Sequence, residues 1–161
     1  MIPKIEKINL NKLDVNDKFF NSLKETYFKF DKWFKNKQKN NSYGYVTYKD
    51  NVLTSLLILK IEENETYNFD KEFNYKKVLK ISTFKVEDTG KKIGSMYLKI
   101  IDDFAKENNV EIIYLTVFEK QKEFINFIEK NNYKYYCNKN TLIKNGNIKK
   151  ERVYIKDIFN N

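Results

Sequence analysis

Between Val78 and Phe104 an apolar strand, a short glycine-bearing loop and an amphipathic helix follow without a break. The strand is Val78 to Val86 and the loop is Glu87-Asp-Thr-Gly-Lys-Lys-Ile-Gly-Ser95. The helix carries Ile93, Tyr97, Ile100, Ile101 and Phe104 at the helical period, and Asn108-Asn109 ends it. Gly90 and Gly94, two of the chain's four glycines, both fall in this loop. The first N–H groups of a helix have no intrahelical partner and carry the positive end of its dipole. Glycine lets backbone approach a ligand, and Lys91 and Lys92 add charge, so the turn suits an anion such as phosphate. The same residues also read as a tight strand-to-helix connection with solvated lysines.

A chain of 161 residues with 41% hydrophobic residues, 12 Tyr and 13 Phe can bury one full core, so a single domain spanning 1–161 is expected. No apolar run reaches membrane-span length and the N-terminus lacks a signal-peptide pattern, so the expectation is a cytoplasmic protein without membrane attachment. The lone Cys137 excludes an internal disulfide. The absence of histidine excludes histidine-based triads and ordinary zinc sites, and no metal is expected. The net charge of +9 invites a nucleic-acid reading, but of the 31 basic residues only Arg152 is arginine. Arginine is the preferred residue for bidentate phosphate and base contacts. The lysines are also spread along the whole chain, so no specific nucleic-acid partner is expected, only weak salt-dependent attraction.

In chain order, Lys4 to Leu10 reads as a short strand. Asp14 reads as an N-cap with Asp17 in the first turn, and Phe19, Leu23, Tyr27, Phe30 and Phe34 recur at helical spacing to about Lys37, with Asp31 a point where the helix can restart. The aromatic stripe reads as core, with Tyr27, Trp33 or Phe34 open to an alternative role in a substrate groove. Tyr43–Tyr48 and Val52–Ile61 flank Lys49-Asp50-Asn51 as a hairpin. After a polar loop from Glu62 to about Lys77 and the strand–loop–helix unit, Glu111–Phe118 reads as a strand and Gln121–Asn131 as a helix. Tyr133–Asn138 and Glu151–Ile158 are strands, with Asn145-Gly146 as a turn. This alternation predicts an α/β domain with a mixed sheet flanked by helices.

The element order and the loop resemble the GNAT superfamily, the acetyltransferases related to Gcn5. Members carry an R/Q-x-x-G-x-G/A loop, and the corresponding residues are Thr89-Gly90-Lys91-Lys92-Ile93-Gly94. Thr89 stands in place of Arg or Gln, and Lys92 in place of the middle glycine. A second signature, N-x-x-A-x-x-F-Y-E-K-x-G-F, maps onto Gln121 through Tyr133, where Phe127-Ile-Glu-Lys130 matches except at the tyrosine and Ile128 replaces it. The resemblance implies a splayed mixed sheet, with acetyl-CoA as cosubstrate held by the backbone of Phe84, Lys85 and Val86. The loop Thr89, Gly90, Lys91, Lys92, Ile93, Gly94 and Ser95 would hold its pyrophosphate, and Gln121 would stand for the usual asparagine contact.

The function implied is N-acyl transfer, with acetyl-CoA and an amine-bearing small molecule or protein as partners; a homodimer is allowed for. Removal of a proton from the acceptor ammonium requires a base, and Glu62, ahead of Glu63, is the candidate catalytic residue. The thiolate leaving group would take its proton from Tyr133, Tyr135, Tyr136 or water. A GNAT-fold binding module that acts through macromolecular contacts is the alternative, because Ile128 cannot donate a proton.

Overall fold

Local hydrogen bonds from short acidic side chains break up the helix expected from Asp14. In the computed structural model, which describes residues 3–88, 90 and 92–159, the Asp14 carboxylate accepts from Asn16 N–H at 2.8 Å and that of Asp17 from Phe19 N–H at 2.9 Å. Such bonds offer the backbone an alternative to the helical ladder. The segment therefore forms a 3-10 turn at Lys18–Phe20, then helix α1 (Asn21–Thr26) and helix α2 (Phe30–Lys39), and an earlier 3-10 turn at Leu10–Lys12 is capped by the Asn9 side chain. Tyr27 between the helices is extended and bridges to Ile143, and Lys29 takes a left-handed φ of 55° before α2 begins. The restart expected at Asp31 falls one residue earlier.

The strands are β1 (Glu6–Asn9), β2 (Tyr43–Lys49), β3 (Val52–Glu63), β4 (Lys77–Val86), β5 (Ile112–Phe118), β6 (Lys134–Leu142) and β7 (Ile148–Lys156). Helix α3 spans Ile93–Glu107 and α4 spans Lys122–Lys130. The strands form one mixed sheet in the order β1-β2-β3-β4-β5-β7-β6. Antiparallel pairs join β1 to β2, β2 to β3 and β5 to β7, while Val78, Leu79 and Lys80 of β4 run parallel to Ile112, Ile113 and Tyr114 of β5. Asp50 and Asn51 both adopt positive φ, the geometry of a two-residue hairpin turn whose twist suits the flanking strands.

The chain divides into two compact units. The first draws on Met1–Ile58, Thr83–Leu98 and Leu142–Asn147. Its core gathers Phe19, Phe20, Phe30 and Phe34 with Leu10, Val46, Leu53 and Leu56, and Tyr27 and Trp33 pack against it. The rings of Phe20 and Phe34 lie 4.9 Å apart. The aromatic stripe is thus core, carried in turn by a 3-10 turn, helix α1, the extended Tyr27 and helix α2. A Cβ on Gly44 would come within 2.8 Å of the Leu10 side chain and 3.2 Å of the Leu57 carbonyl, so glycine is required for β2 to let the Leu10 side chain pack this close beside β3.

The second unit draws on Leu59–Ser82, Lys99–Thr141 and Ile148–Asn161. Phe73, Val78, Ile112, Tyr114, Cys137 and Val153 form one of its clusters, ringed by Tyr67, Phe69, Tyr75 and Tyr136. Lys156 and Asp102 form an ion pair at 2.9 Å, and the Lys156 ammonium lies 5.5 Å from the Tyr133 ring centre. The end expected for α3 is seen: the Asn108 side chain donates to the Phe104 carbonyl at 2.8 Å and Asn109 turns to φ 53°. No helix among the described residues is long and apolar enough to cross a membrane.

Candidate active site

One candidate group lies in the first unit, where β4 passes into α3. Met96 N–H donates to the Lys92 carbonyl at 3.1 Å, which makes Lys92 the residue that opens the helix. The N–H groups of Ile93, Gly94 and Ser95 then have no carbonyl partner within α3, and the positive end of its dipole lies there. Gly90 has φ 81°, and among the described residues beyond its chain neighbours no atom lies within 4 Å of where its Cβ would be, which leaves room for a ligand on that side. Lys92 has φ 61°. The position matched to the pattern's middle glycine is therefore left-handed, and a lysine reaches it at some cost in strain. Ile93 is buried, Gly94 half-buried and Ser95 exposed. Thr89 and Lys91, both expected to hold the cosubstrate, lie outside the described residues.

A chain of hydroxyls fixes the first turns of α3. The fully buried Tyr97 hydroxyl lies 2.6 Å from Ser55 Oγ and donates to the Tyr45 carbonyl at 3.1 Å. Ser55 Oγ is 2.5 Å from Thr47 Oγ1, which is 2.9 Å from Thr54 Oγ1. Burial outweighs the Ser55 hydrogen bond and pushes the Tyr97 pKa up to about 12, so this phenol stays neutral. Phe84 meets the Tyr97 ring edge to face at 5.7 Å. The Lys85 side chain is committed to the fold. Its ammonium donates to the Phe19 carbonyl and, at 2.8 Å, to Ser22 Oγ, and it pairs with Glu87 at 3.2 Å. Any cosubstrate contact by Lys85 is left to its backbone.

A separate candidate group lies in the second unit and is centred on Glu62. This carboxylate is only 7% exposed, although it stands near the end of β3. Its Oε1 accepts from Tyr114 at 2.6 Å and Tyr67 at 2.9 Å, and Lys60 lies 3.4 Å from Oε2. Burial raises its pKa, but the hydrogen bonds from Tyr114 and Tyr67 and the charges of Lys80 and Lys60 outweigh that, and the net shift is downward. Both tyrosines move the other way, pushed up by burial first and by Glu62 second. Lys80, half-buried on β4, is pushed down by burial and by Lys139, against the pull of Glu62 and Glu151. Glu63, the runner-up, is exposed and faces Lys77 at 3.8 Å.

Sequence reasoning did not find Tyr67, Tyr114 or Lys80. The alternation of β4 gave one signal, since Lys80 interrupts an apolar strand and pairs in register with Tyr114. Glu151 was also missed: it is buried, takes the Thr141 hydroxyl at 2.5 Å on Oε1, and has no partner for Oε2 among the described residues.

The remaining candidates are placed as follows. Gln121 precedes α4 and its Oε1 accepts from Phe118 N–H at 3.0 Å, a bond back to the end of β5 that does not cap the helix. Ile128 is buried in the core. Tyr133 is 2% exposed, and its hydroxyl has no partner among the described residues. Burial, then the charge of Asp102, pushes its pKa up. Tyr135 donates to Asn138 at 2.8 Å, and the Tyr136 hydroxyl is bonded to the Glu72 carbonyl. No group of three or more His, Cys, Asp or Glu among the described residues could hold a metal ion.

A mixed sheet whose fourth strand enters a helix through a glycine turn defines the class of fold. The chain has the fold of the GCN5-related N-acetyltransferases, in a divergent sequence. An N-acetyltransferase from Staphylococcus aureus Mu50 superposes with a TM-score of 0.69 at 16% identity, covering 98% of this chain and 99% of that one. Arabidopsis thaliana NAA60 in complex with acetyl-CoA gives a TM-score of 0.73 at 14% identity, covering 97% and 98%. The yncA protein of Salmonella typhimurium, solved with its cofactor acetyl-CoA, gives 0.66 at 11%, covering 100% and 96%. No family model matches the sequence, and no curated protein does.

Proposed function

We propose that the chain is an N-acyltransferase that moves an acetyl group from acetyl-CoA to an amine by direct attack. The observation that carries this reading is the start of α3: open backbone at Gly90, a left-handed Lys92, and N–H groups of Ile93, Gly94 and Ser95 with no intrahelical acceptor. These residues fit a pyrophosphate, which backbone donors at a helix N-terminus hold with little dependence on side chains. Phe84, Lys85 and Val86 would present main-chain groups to the pantetheine arm, with Thr89 and Lys91 beside the phosphates. The bound thioester supplies an activated carbonyl. Solved proteins of the same fold that hold acetyl-CoA support this choice of cosubstrate.

Glu62 serves the amine. Its carboxylate stays ionised through neutral pH, because its pKa is held down. An alkyl ammonium of pKa ~10.4 lies about 6 units above an ordinary carboxyl, so complete proton transfer before attack costs ~8 kcal/mol. Glu62 therefore holds the acceptor nitrogen, which attacks from its minority neutral form after one proton has left to water; as the C–N bond forms the nitrogen turns acidic and passes its second proton to Glu62. The C–S bond breaks to release coenzyme A as a thiolate, which water protonates. The test is release of free thiol from acetyl-CoA by purified protein across a panel of primary amines. No amine-dependent release, despite coenzyme A binding, overturns the enzyme reading and leaves the binding module, which Ile128 at the usual tyrosine position favours.

A further inference from the structure

The segment between β3 and β4 folds into a cup of its own, inside the second unit. Glu65, Tyr67, Phe69, Asp70, Glu72 and Phe73 line a pocket of about 460 Å³. Three aromatic rings form its apolar part: Tyr67 lies 4.8 Å from Phe73 and 5.2 Å from Phe69, and Phe69 lies 5.2 Å from Phe73. The cup is fastened to β6. Phe69 bridges to Lys139, and Asp70 N–H donates to the Asn138 carbonyl at 3.0 Å. Asn138 returns two bonds to the Asp70 carboxylate, at 2.8 and 3.2 Å. Tyr136 is bonded to the Glu72 carbonyl. A pocket held open in this way does not have to be ordered by its ligand.

Its charge is opposite to that of the chain. Three carboxylates, Glu65, Asp70 and Glu72, line it against one lysine in a protein of net charge +9. That lysine, Lys71, holds its ammonium 4.4 Å from the Tyr136 ring centre. Aromatic rings and carboxylates together suit an alkyl ammonium, which gains from both the ring quadrupole and the opposite charge. Tyr67 belongs to the pocket and also donates to Glu62, so the cup adjoins the candidate base.

We propose that the Glu65–Asn74 cup is an acceptor subsite for a linear aliphatic di- or polyamine, taking one ammonium among its rings and carboxylates while a second faces Glu62. What is then done with the amine rests on the acyl-transfer reading above; the binding does not. The experiment is calorimetric titration of the whole chain with 1,4-diaminobutane and with n-butylamine at fixed ionic strength. Both are repeated on the double variant Glu65→Gln/Glu72→Gln, and coenzyme A is titrated separately. Glu65 and Glu72 are exposed, so the double variant keeps the fold. The diamine is expected to bind about tenfold more tightly than the monoamine, and the double variant to remove most of that preference. Equal affinities, no binding of either amine, or a preference that survives the double substitution overturns the proposal. Diamine binding without coenzyme A binding overturns the acyl-transfer reading and leaves the subsite standing. Coenzyme A binding without a diamine preference does the reverse.

Discussion

Glu62 joins a buried position to an ionised state, and its two tyrosine donors are what reconcile the two. Its folded pKa lies below its ordinary value near 4.5. The stability it contributes is therefore fully present above that value and is lost as pH falls through the lower folded value. Urea midpoints measured from pH 7 down to pH 3 should show this acid loss in the parent and a weaker one in Glu62→Gln. The same substitution should lower turnover by ~10²–10⁴-fold, read as thiol release, with coenzyme A affinity unchanged. A rate within threefold of the parent would remove Glu62 from the chemistry. Lys92 offers a second test. Its left-handed backbone costs a non-glycine residue ~1–2 kcal/mol, and glycine's own entropy returns ~0.5–1, so Lys92→Gly should raise stability by up to ~1.5 kcal/mol in denaturant unfolding.

At the scale of the element, α3 joins the proposed binding to packing. Its first residues supply backbone donors, and Tyr97, one turn on, ties the helix to β2 and β3 through hydroxyls. Gly94→Asp places a carboxylate among the free N–H groups of the first turn. Negative charge there suits the dipole, so the fold should be retained while coenzyme A binding is lost by repulsion. The check is titration beside circular dichroism: parent-like affinity would reduce the loop to a structural turn. Helix α4 gives the contrasting case. Ile128 is buried in the core, so Ile128→Tyr should lower stability by ~1–3 kcal/mol through overpacking, seen in the denaturant midpoint.

For the molecule as a whole, a ligand that binds only the folded chain stabilises it in proportion to occupancy. Coenzyme A at ~100 times its dissociation constant should add about 2.7 kcal/mol, which for a chain of this size is a rise in melting temperature of roughly 5–10 °C. The same concentration of adenosine alone should give less, because it lacks the pyrophosphate; equal shifts would place the ligand elsewhere.

The α/β order, the strand–loop–helix between Val78 and Phe104 and the hairpin at Asp50-Asn51 were legible in the residues, because each rests on local periodicity and turn chemistry that act over a few positions. The start of α3 was legible for the same reason. The first helix was not, because Asp14 and Asp17 bond to backbone two residues ahead and Tyr27 bridges to Ile143, over a hundred positions away. Nor was the state of Glu62. Nothing in Ile61-Glu62-Glu63 distinguishes one glutamate from the next; burial beside Tyr114, 52 residues later, does so. Backbone form follows from neighbours in sequence, whereas a buried charge depends on which distant groups the fold brings to it, and only the tertiary structure decides that.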